Sequence, residues 1–171
     1  MANPKPRGCP LVVASARTFF VTSSISGKRN LLQSDRSAEL FVNVLYLYDY
    51  RKQKKFRLHE FVVMPDHFHL LLTAESDSTI ERAVQFVEGS FAFRAGRELG
   101  AQSLVWQKGS SEVRIVDSNA FASISEYIRN NPVARNLVSE AAQFPYSSAH
   151  PGYELDSPPQ GLKPMFPEGP Q

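Results

Sequence analysis

The stretch FRLHEFVVMPDHFHLLLTA, residues 56–74, decides the fold. Its first part is rich in aromatic and β-branched residues up to Met64 and reads as a strand. Pro65 and Asp66 form a turn. Residues 67–74 then read as a second strand. Two strands joined so closely predict a tight antiparallel hairpin with Met64 opposite His67. Side chains alternate along a strand, so His67 and His69 project to one side and Phe68 to the other. In this register Glu60 and Val62 share the face of the histidines, and His59 faces away.

Elements of both kinds surround the hairpin. Residues 17–24 (RTFFVTSS) read as a strand, with Gly27 as a breaker. Ser34 is placed to cap a helix from Asp35 to about Lys52, with Leu40, Val44 and Leu47 at helical spacing. After the hairpin, Ser78 followed by Glu81 has the capping-box pattern. It predicts a helix with Ile80, Val84, Val87 and Phe91 along one side, closed by Gly100. Short strands are expected at 104–106 and 112–116, on either side of Gly109. Ser118 or Asn119 then caps a helix through Phe121, Ile124, Tyr127 and Ile128. That helix is expected to end near Asn131, because Pro132 disfavours helix in the residue before it. A further short helix is expected from Pro132 to about Ser139. The order β-α-β-β-α-β-α predicts an α+β fold: a ferredoxin-like antiparallel sheet (split βαβ) with helices on one face and an additional C-terminal helix.

Composition sets the outer bounds. The chain has 171 residues, 42 % hydrophobic and 21 % charged, which excludes disorder throughout and suits one folded domain. The expected division is an N-terminal tail at 1–13, a domain at 14–149 and a Pro/Gly-rich tail at 150–171. The last segment holds six of the twelve prolines and is expected to be mostly irregular. No apolar run is long enough for a membrane helix or a secretion signal. A single cysteine, Cys9, excludes an internal disulfide and a cysteine-based zinc site. A reducing, cytoplasmic location is expected. The formal charge is +2, but His150 to Gln171 contributes −2 (Lys163 against Glu154, Asp156 and Glu168), leaving +4 on residues 1–149. Arg51, Lys52, Lys54, Lys55 and Arg57 form a cationic run that suits either phosphate contacts or a solvated helix end.

Two pairs of residues carry candidate chemistry. His67 and His69, two apart on a strand, make half of a divalent-metal site. The same spacing also suits two histidines satisfied within a core, and spacing alone leaves both open. Tyr127 and Asn131 are four apart on a helix and share a face. The Asn131 amide oxygen is a possible third metal ligand, and a phenol beside a metal that grips a phosphate is a nucleophile arrangement. An ordinary half-buried tyrosine and a helix-end asparagine explain the same residues. Glu60 is a candidate to orient an imidazole, with a salt-bridged glutamate as the plainer alternative. Arg114 and Arg129 suit phosphate contacts or ordinary surface positions. Tyr146 and Trp106 fit core packing better than base stacking.

The segment MPDHFHLLL (64–72) resembles the histidine–hydrophobic–histidine motif of the single-tyrosine transposases, and YIRNNPV (127–133) resembles their nucleophile motif. The order of the two, about 60 residues apart, the intervening Trp106, Gln107 and Arg114, and the FPYSS ending (144–148) are also similar. The REP-associated tyrosine transposases are the branch it resembles most, over residues 14–148. Asp66 departs from the family's usual asparagine, adding a charge near the metal. The resemblance implies a single-stranded DNA endonuclease and strand transferase acting near DNA hairpins. His67, His69 and Asn131 would hold Mg²⁺ or Mn²⁺. Tyr127, on the additional C-terminal helix, would be the nucleophile that forms a 5′-phosphotyrosine. Lys52, Lys54, Lys55, Arg114 and Arg129 become candidate DNA-backbone contacts. No nucleotide cofactor and no membrane are implied, and a monomer and a homodimer are both compatible. Two rivals remain at this level: a catalytically silent regulator binding hairpin DNA or RNA on the same fold, and a metallohydrolase that uses bound water with Glu60 or Asp66 as base.

Overall fold

The structure is a computed structural model that describes residues 16–46, 56–102 and 105–163. Strands β1 (Arg17–Ser24), β2 (Phe56–Val63), β3 (His67–Ala74) and β4 (Ser111–Ile115) form one antiparallel sheet in the order β2-β3-β1-β4. Helices α1 (Asp35–Leu45) and α2 (Ile80–Leu99) precede β2 and β4, and α3 (Ser118–Ala134) follows β4. This is the expected α+β arrangement. The hairpin closes as read, with the Met64 N–H donating to the His67 carbonyl at 2.8 Å.

Period-2 alternation divides the sheet between two cores. Val21, Phe61, Phe68, Leu70 and Leu72 pack with Phe41 of α1, Phe91 of α2 and Trp106. Phe68 sits 4.8 Å from Phe41 and 5.2 Å from Trp106, centroid to centroid. On the opposite face Val62, Met64, Leu71 and Ile115 pack with Ile128 of α3 in a smaller core. Among the described residues, Tyr127's helix is therefore the one on the face that also carries His67 and His69.

Several local expectations shift. The cap of α2 is Thr79, which accepts from the Arg82 N–H at 3.2 Å, because Ser78 closes a turn back to Glu75. Glu81 then falls one place short of the capping-box position. Asp117, not Ser118 or Asn119, caps α3, accepting from the Ala120 N–H at 2.7 Å. Helix α3 runs through Pro132 to Ala134, and no separate helix begins at Pro132. The proline forfeits one hydrogen bond in the last turn, while its ring is buried and Arg135 N–H still reaches the Asn131 carbonyl at 3.0 Å. Asn136, at φ 56°, then breaks the helix, a conformation asparagine tolerates. Of the strand expected at 104–106, Leu104 lies outside the described residues and Trp106 forms an isolated bridge to Ile25. Residues 47–52 of the expected first helix lie outside the described residues.

His59 does not face away. A bulge between Leu58 and Glu60 shifts the register of β2 against β3, so both His59 and Glu60 turn toward α3. His59 is buried there against Phe121, with Nε2 2.7 Å from Thr73 Oγ1 and Nδ1 3.2 Å from the Asp156 carbonyl. Thr73 in turn meets Thr18 Oγ1 at 2.8 Å. These bonds occupy both ring nitrogens.

Residues 146–163 form no helix or strand, yet they pack closely. Val63 N–H donates to the Tyr146 carbonyl, Ser148 N–H to Phe61, and Asp156 N–H to Leu58. Asp156 Oδ2 accepts the Leu58 N–H at 2.8 Å. Tyr153 lies across Phe61 at 5.0 Å. The outer edge of β2 is thereby covered, as an edge strand requires.

Burial holds the His59 ring below its ordinary pKa of 6.5. The unfolded chain therefore takes up this proton first as pH falls. The His59 contribution to stability is complete above about pH 6.5 and declines below it, by at most about 1.4 kcal/mol per pH unit. Urea midpoints at about pH 7.5 and 5.5 should fall more steeply for the natural chain than for His59→Gln. Equal slopes would contradict the buried, neutral ring.

Candidate functional site

β3 presents His67 and His69 on the α3 face, both buried, with ring centroids 4.8 Å apart. Each ring is held at Nδ1. Asp66 Oδ1 lies 2.6 Å from Nδ1 of His67, and Thr22 Oγ1 lies 2.8 Å from Nδ1 of His69. Thr22 is the direct cross-strand partner of His69. Phe20 stacks on His69 at 5.3 Å and 27°. These contacts fix both ring planes and direct Nε2 of each ring to other partners, the usual role of outer groups behind metal-ligating histidines.

Helix α3 completes the arrangement. The Tyr127 ring meets His69 and Phe20 edge-on, its centroid 5.4 Å from that of His69 and 6.0 Å from that of Phe20, and the residue remains 47 % exposed. The ring is oriented by its neighbours while the residue stays half exposed. Asn131, one turn on, is buried at the foot of the same stripe. Its Oδ1 and the Nε2 of His69 are buried atoms without a hydrogen-bond partner among the described residues. Buried polar atoms left unpaired are costly, and His69 Nε2 accepts when Nδ1 carries the ring proton toward Thr22.

Electrostatics keep the His69 imidazole neutral. Burial, then the charges of His67 and Arg135, depress the His69 pKa to about 3. The ring is neutral at physiological pH, as a ligand must be. Asp66 is held below the usual carboxylate range: partial burial pushes it up, but the His67 hydrogen bond and the charges of His67 and Lys28 outweigh that. Among the described residues no three His, Cys, Asp or Glu side chains cluster. Two imidazoles and one amide oxygen form an incomplete, borderline donor set. They fit an exchangeable divalent ion whose remaining positions belong to water or substrate oxygens.

The other candidates are dispersed. Arg129 donates from Nη2 to Glu60 Oε1 at 2.6 Å. Glu60, buried, also accepts from Ser148 Oγ. Glu60 thus neutralises an arginine and orients no imidazole. Arg114 is exposed on β4 opposite Phe19, on the sheet face turned away from the histidines. Lys52, Lys54 and Lys55 lie outside the described residues. Tyr146 donates to Asp35 at 2.7 Å and Trp106 to the Glu88 carbonyl at 2.8 Å, both as packing residues. Sequence reasoning missed Thr22, Phe20 and Arg135. The first two become visible only through the β1–β3 register. Arg135 was signalled by its spacing of four from Asn131.

Truncating Arg129 leaves Glu60 buried without its cation. Arg129→Ala should cost roughly 1–3 kcal/mol in urea unfolding, moderated by the exposure of the guanidinium. Adding Glu60→Gln should recover part of that loss. A stability unchanged by Arg129→Ala would show the pair to be unimportant.

Comparison with known proteins bears on the whole arrangement. A family model described as "Transposase IS200 like" matches residues 25–131, which include both histidines, Tyr127 and Asn131. A solved structure of the REP-associated tyrosine transposase bound to a REP hairpin matches with a TM-score of 0.63 at 19 % identity, covering 98 % of this chain and 100 % of that one. A crystal structure of a "putative transposase" from Deinococcus radiodurans R1 matches with a TM-score of 0.50 at 23 % identity, covering 75 % and 97 %. No curated protein matches by sequence. At those identities the two structures speak for the fold, and the family model speaks for membership. On that match, which spans more than half of its length, this chain belongs to the IS200-like transposase family.

Proposed function

We propose that this transposase is a divalent-metal-dependent endonuclease and strand transferase acting on single-stranded DNA near hairpins. The observation that carries the proposal is the pair of buried polar atoms, His69 Nε2 and Asn131 Oδ1, that lack a hydrogen-bond partner among the described residues, on the elements that also bring the half-exposed Tyr127 against His69. The hairpin belongs to the solved neighbour with a bound REP hairpin, and supplies the substrate class inferred here.

In this scheme His67, His69 and Asn131 hold Mg²⁺ or Mn²⁺. When bound, the ion would polarise a phosphodiester and offset its developing charge. The protein supplies the rest. Phe20 and His69 orient the Tyr127 ring so that Oη meets the phosphorus. The phenol proton leaves to solvent, which the exposed ring allows. The Oη–P bond forms, the P–O3′ bond breaks, and the departing oxygen takes a proton to become a 3′-hydroxyl. The product is a 5′-phosphotyrosine. Attack by another 3′-hydroxyl reverses these steps and frees Tyr127. The covalent link retains the phosphodiester energy, so joining requires no nucleotide.

Two features favour this scheme over its rivals. A water-using hydrolase needs a free base, but Glu60 is bonded to Arg129 and Ser148, and Asp66 to His67. A silent binding module has no use for buried, unpartnered polar atoms around a half-exposed tyrosine. Tyr127 also packs on His69 of its own chain, which supports a protomer whose site is complete in itself.

The test is a denaturing gel with labelled single-stranded hairpin DNA drawn from around the gene, with Mn²⁺ or EDTA. A nick with a covalent protein–DNA band is expected, absent with EDTA and in Tyr127→Phe and His67→Ala. A nick that survives Tyr127→Phe without an adduct would replace the scheme with the hydrolase. Retained but uncut DNA across sequences tiling the flanks would favour the regulator.

The Asp66 carboxylate behind His67 gives a second test. Asp66→Ala should weaken Mn²⁺ binding about 10- to 100-fold, with little change in thermal stability. Mn²⁺ binding measured by electron paramagnetic resonance checks it, and unchanged affinity would show that Asp66 does not support the ligand.

A further inference from the structure

The stripe of α3 that carries Tyr127 and Asn131 continues one turn further to Arg135, since residues four apart share a helix face. The Arg135 N–H donates to the Asn131 carbonyl at 3.0 Å, which ties its backbone to the turn that presents the candidate ligand. The side chain is exposed. Its guanidinium has no ion-pair or hydrogen-bond partner among the described residues. Its charge nevertheless acts on His69. On the other flank Lys28 acts on Asp66 while donating to Ser24 Oγ at 3.2 Å. Ser24 is the cross-strand partner of His67.

An unpaired guanidinium beside a divalent-cation site is unfavourable for the cation, because like charges repel. The placement becomes favourable when an anion lies between the two positive centres. A phosphodiester is an anion of that form. It has two non-bridging oxygens, one for a metal and one for a planar guanidinium fork. Arg129, nearer the nucleophile in sequence, is committed to Glu60.

We propose that Arg135 grips the phosphodiester attacked by Tyr127, closing from the end of α3 the cradle formed by His67, His69 and Asn131. This rests on the metal-dependent nicking scheme. It adds a consequence that scheme lacks. Arg135 opposes metal binding in the free protein and favours it once DNA is present, so metal and DNA bind with positive coupling.

The test measures Mn²⁺ binding by electron paramagnetic resonance, with and without a hairpin oligonucleotide, in the uncleaving Tyr127→Phe background. Arg135, Arg135→Ala and Arg135→Lys are compared, and nicking is measured with Tyr127 intact. Without DNA, Arg135→Ala should bind Mn²⁺ about threefold to tenfold more tightly. The tightening produced by DNA should shrink by about tenfold or more, and nicking kcat/KM should fall about 10- to 100-fold. Arg135→Lys should restore part of each, as a charge without the fork. Loss of an ordinary structural contact would not tighten Mn²⁺. A Mn²⁺-dependent adduct with Mn²⁺ affinity and nicking indifferent to Arg135→Ala would overturn this inference and leave the nicking scheme standing. A natural chain that binds no Mn²⁺ and forms no adduct would overturn both.

Discussion

Phe68 is the residue on which the site depends. It is buried between Phe41 and Trp106, on the face opposite the two imidazoles that flank it in sequence. A strand residue locked in one core cannot rotate without moving its neighbours, so the packing that fills one side of the sheet fixes the direction of His67 and His69 on the other. β3 lies between β2 and β1 and is hydrogen-bonded on both sides, which removes the remaining freedom. The site's precision thus originates in apolar packing on the far side of the sheet.

Charge around the site is partitioned in a way that net charge conceals. Arg129 and Arg135 are six residues apart, on one helix and at its C-cap, yet one neutralises buried Glu60 while the other has no partner among the described residues and acts by its charge on His69. The two imidazoles differ similarly, one backed by a carboxylate and the other by a hydroxyl. A carboxylate partner raises ligand basicity more than a hydroxyl does, so the rings are unequal donors despite their shared face.

Much of this was legible in the sequence because it follows from period. Alternation in residues 56–74 predicted the hairpin and the common face of His67 and His69. Helical spacing predicted that Tyr127 and Asn131 share a side. What was not legible depends on events that period does not encode. The bulge after Leu58 inserts one residue into β2 and reverses the facing of His59. Pro132 stays within α3 because its burial compensates for a lost hydrogen bond. The cap of α2 moved by one residue because two hydroxyls, Ser78 and Thr79, were adjacent and a turn claimed the first. Thr22 and Phe20 emerged only with cross-strand register, a long-range property.

The covering of β2 by the C-terminal segment has a consequence for how the chain reaches its fold. Asp156 closes on Leu58 from 98 residues away. Contacts so distant in sequence form late, because a large loop must close before they contribute. On a ribosome, the end of α3 emerges with all four described strands present while the outer flank of β2 still waits for Tyr146, Ser148 and Asp156. Such a flank is a template for pairing with another chain. The interval between synthesis of β2 and synthesis of Asp156 is therefore a window in which a folding factor, or dilution, matters more to yield than the stability of the finished protein.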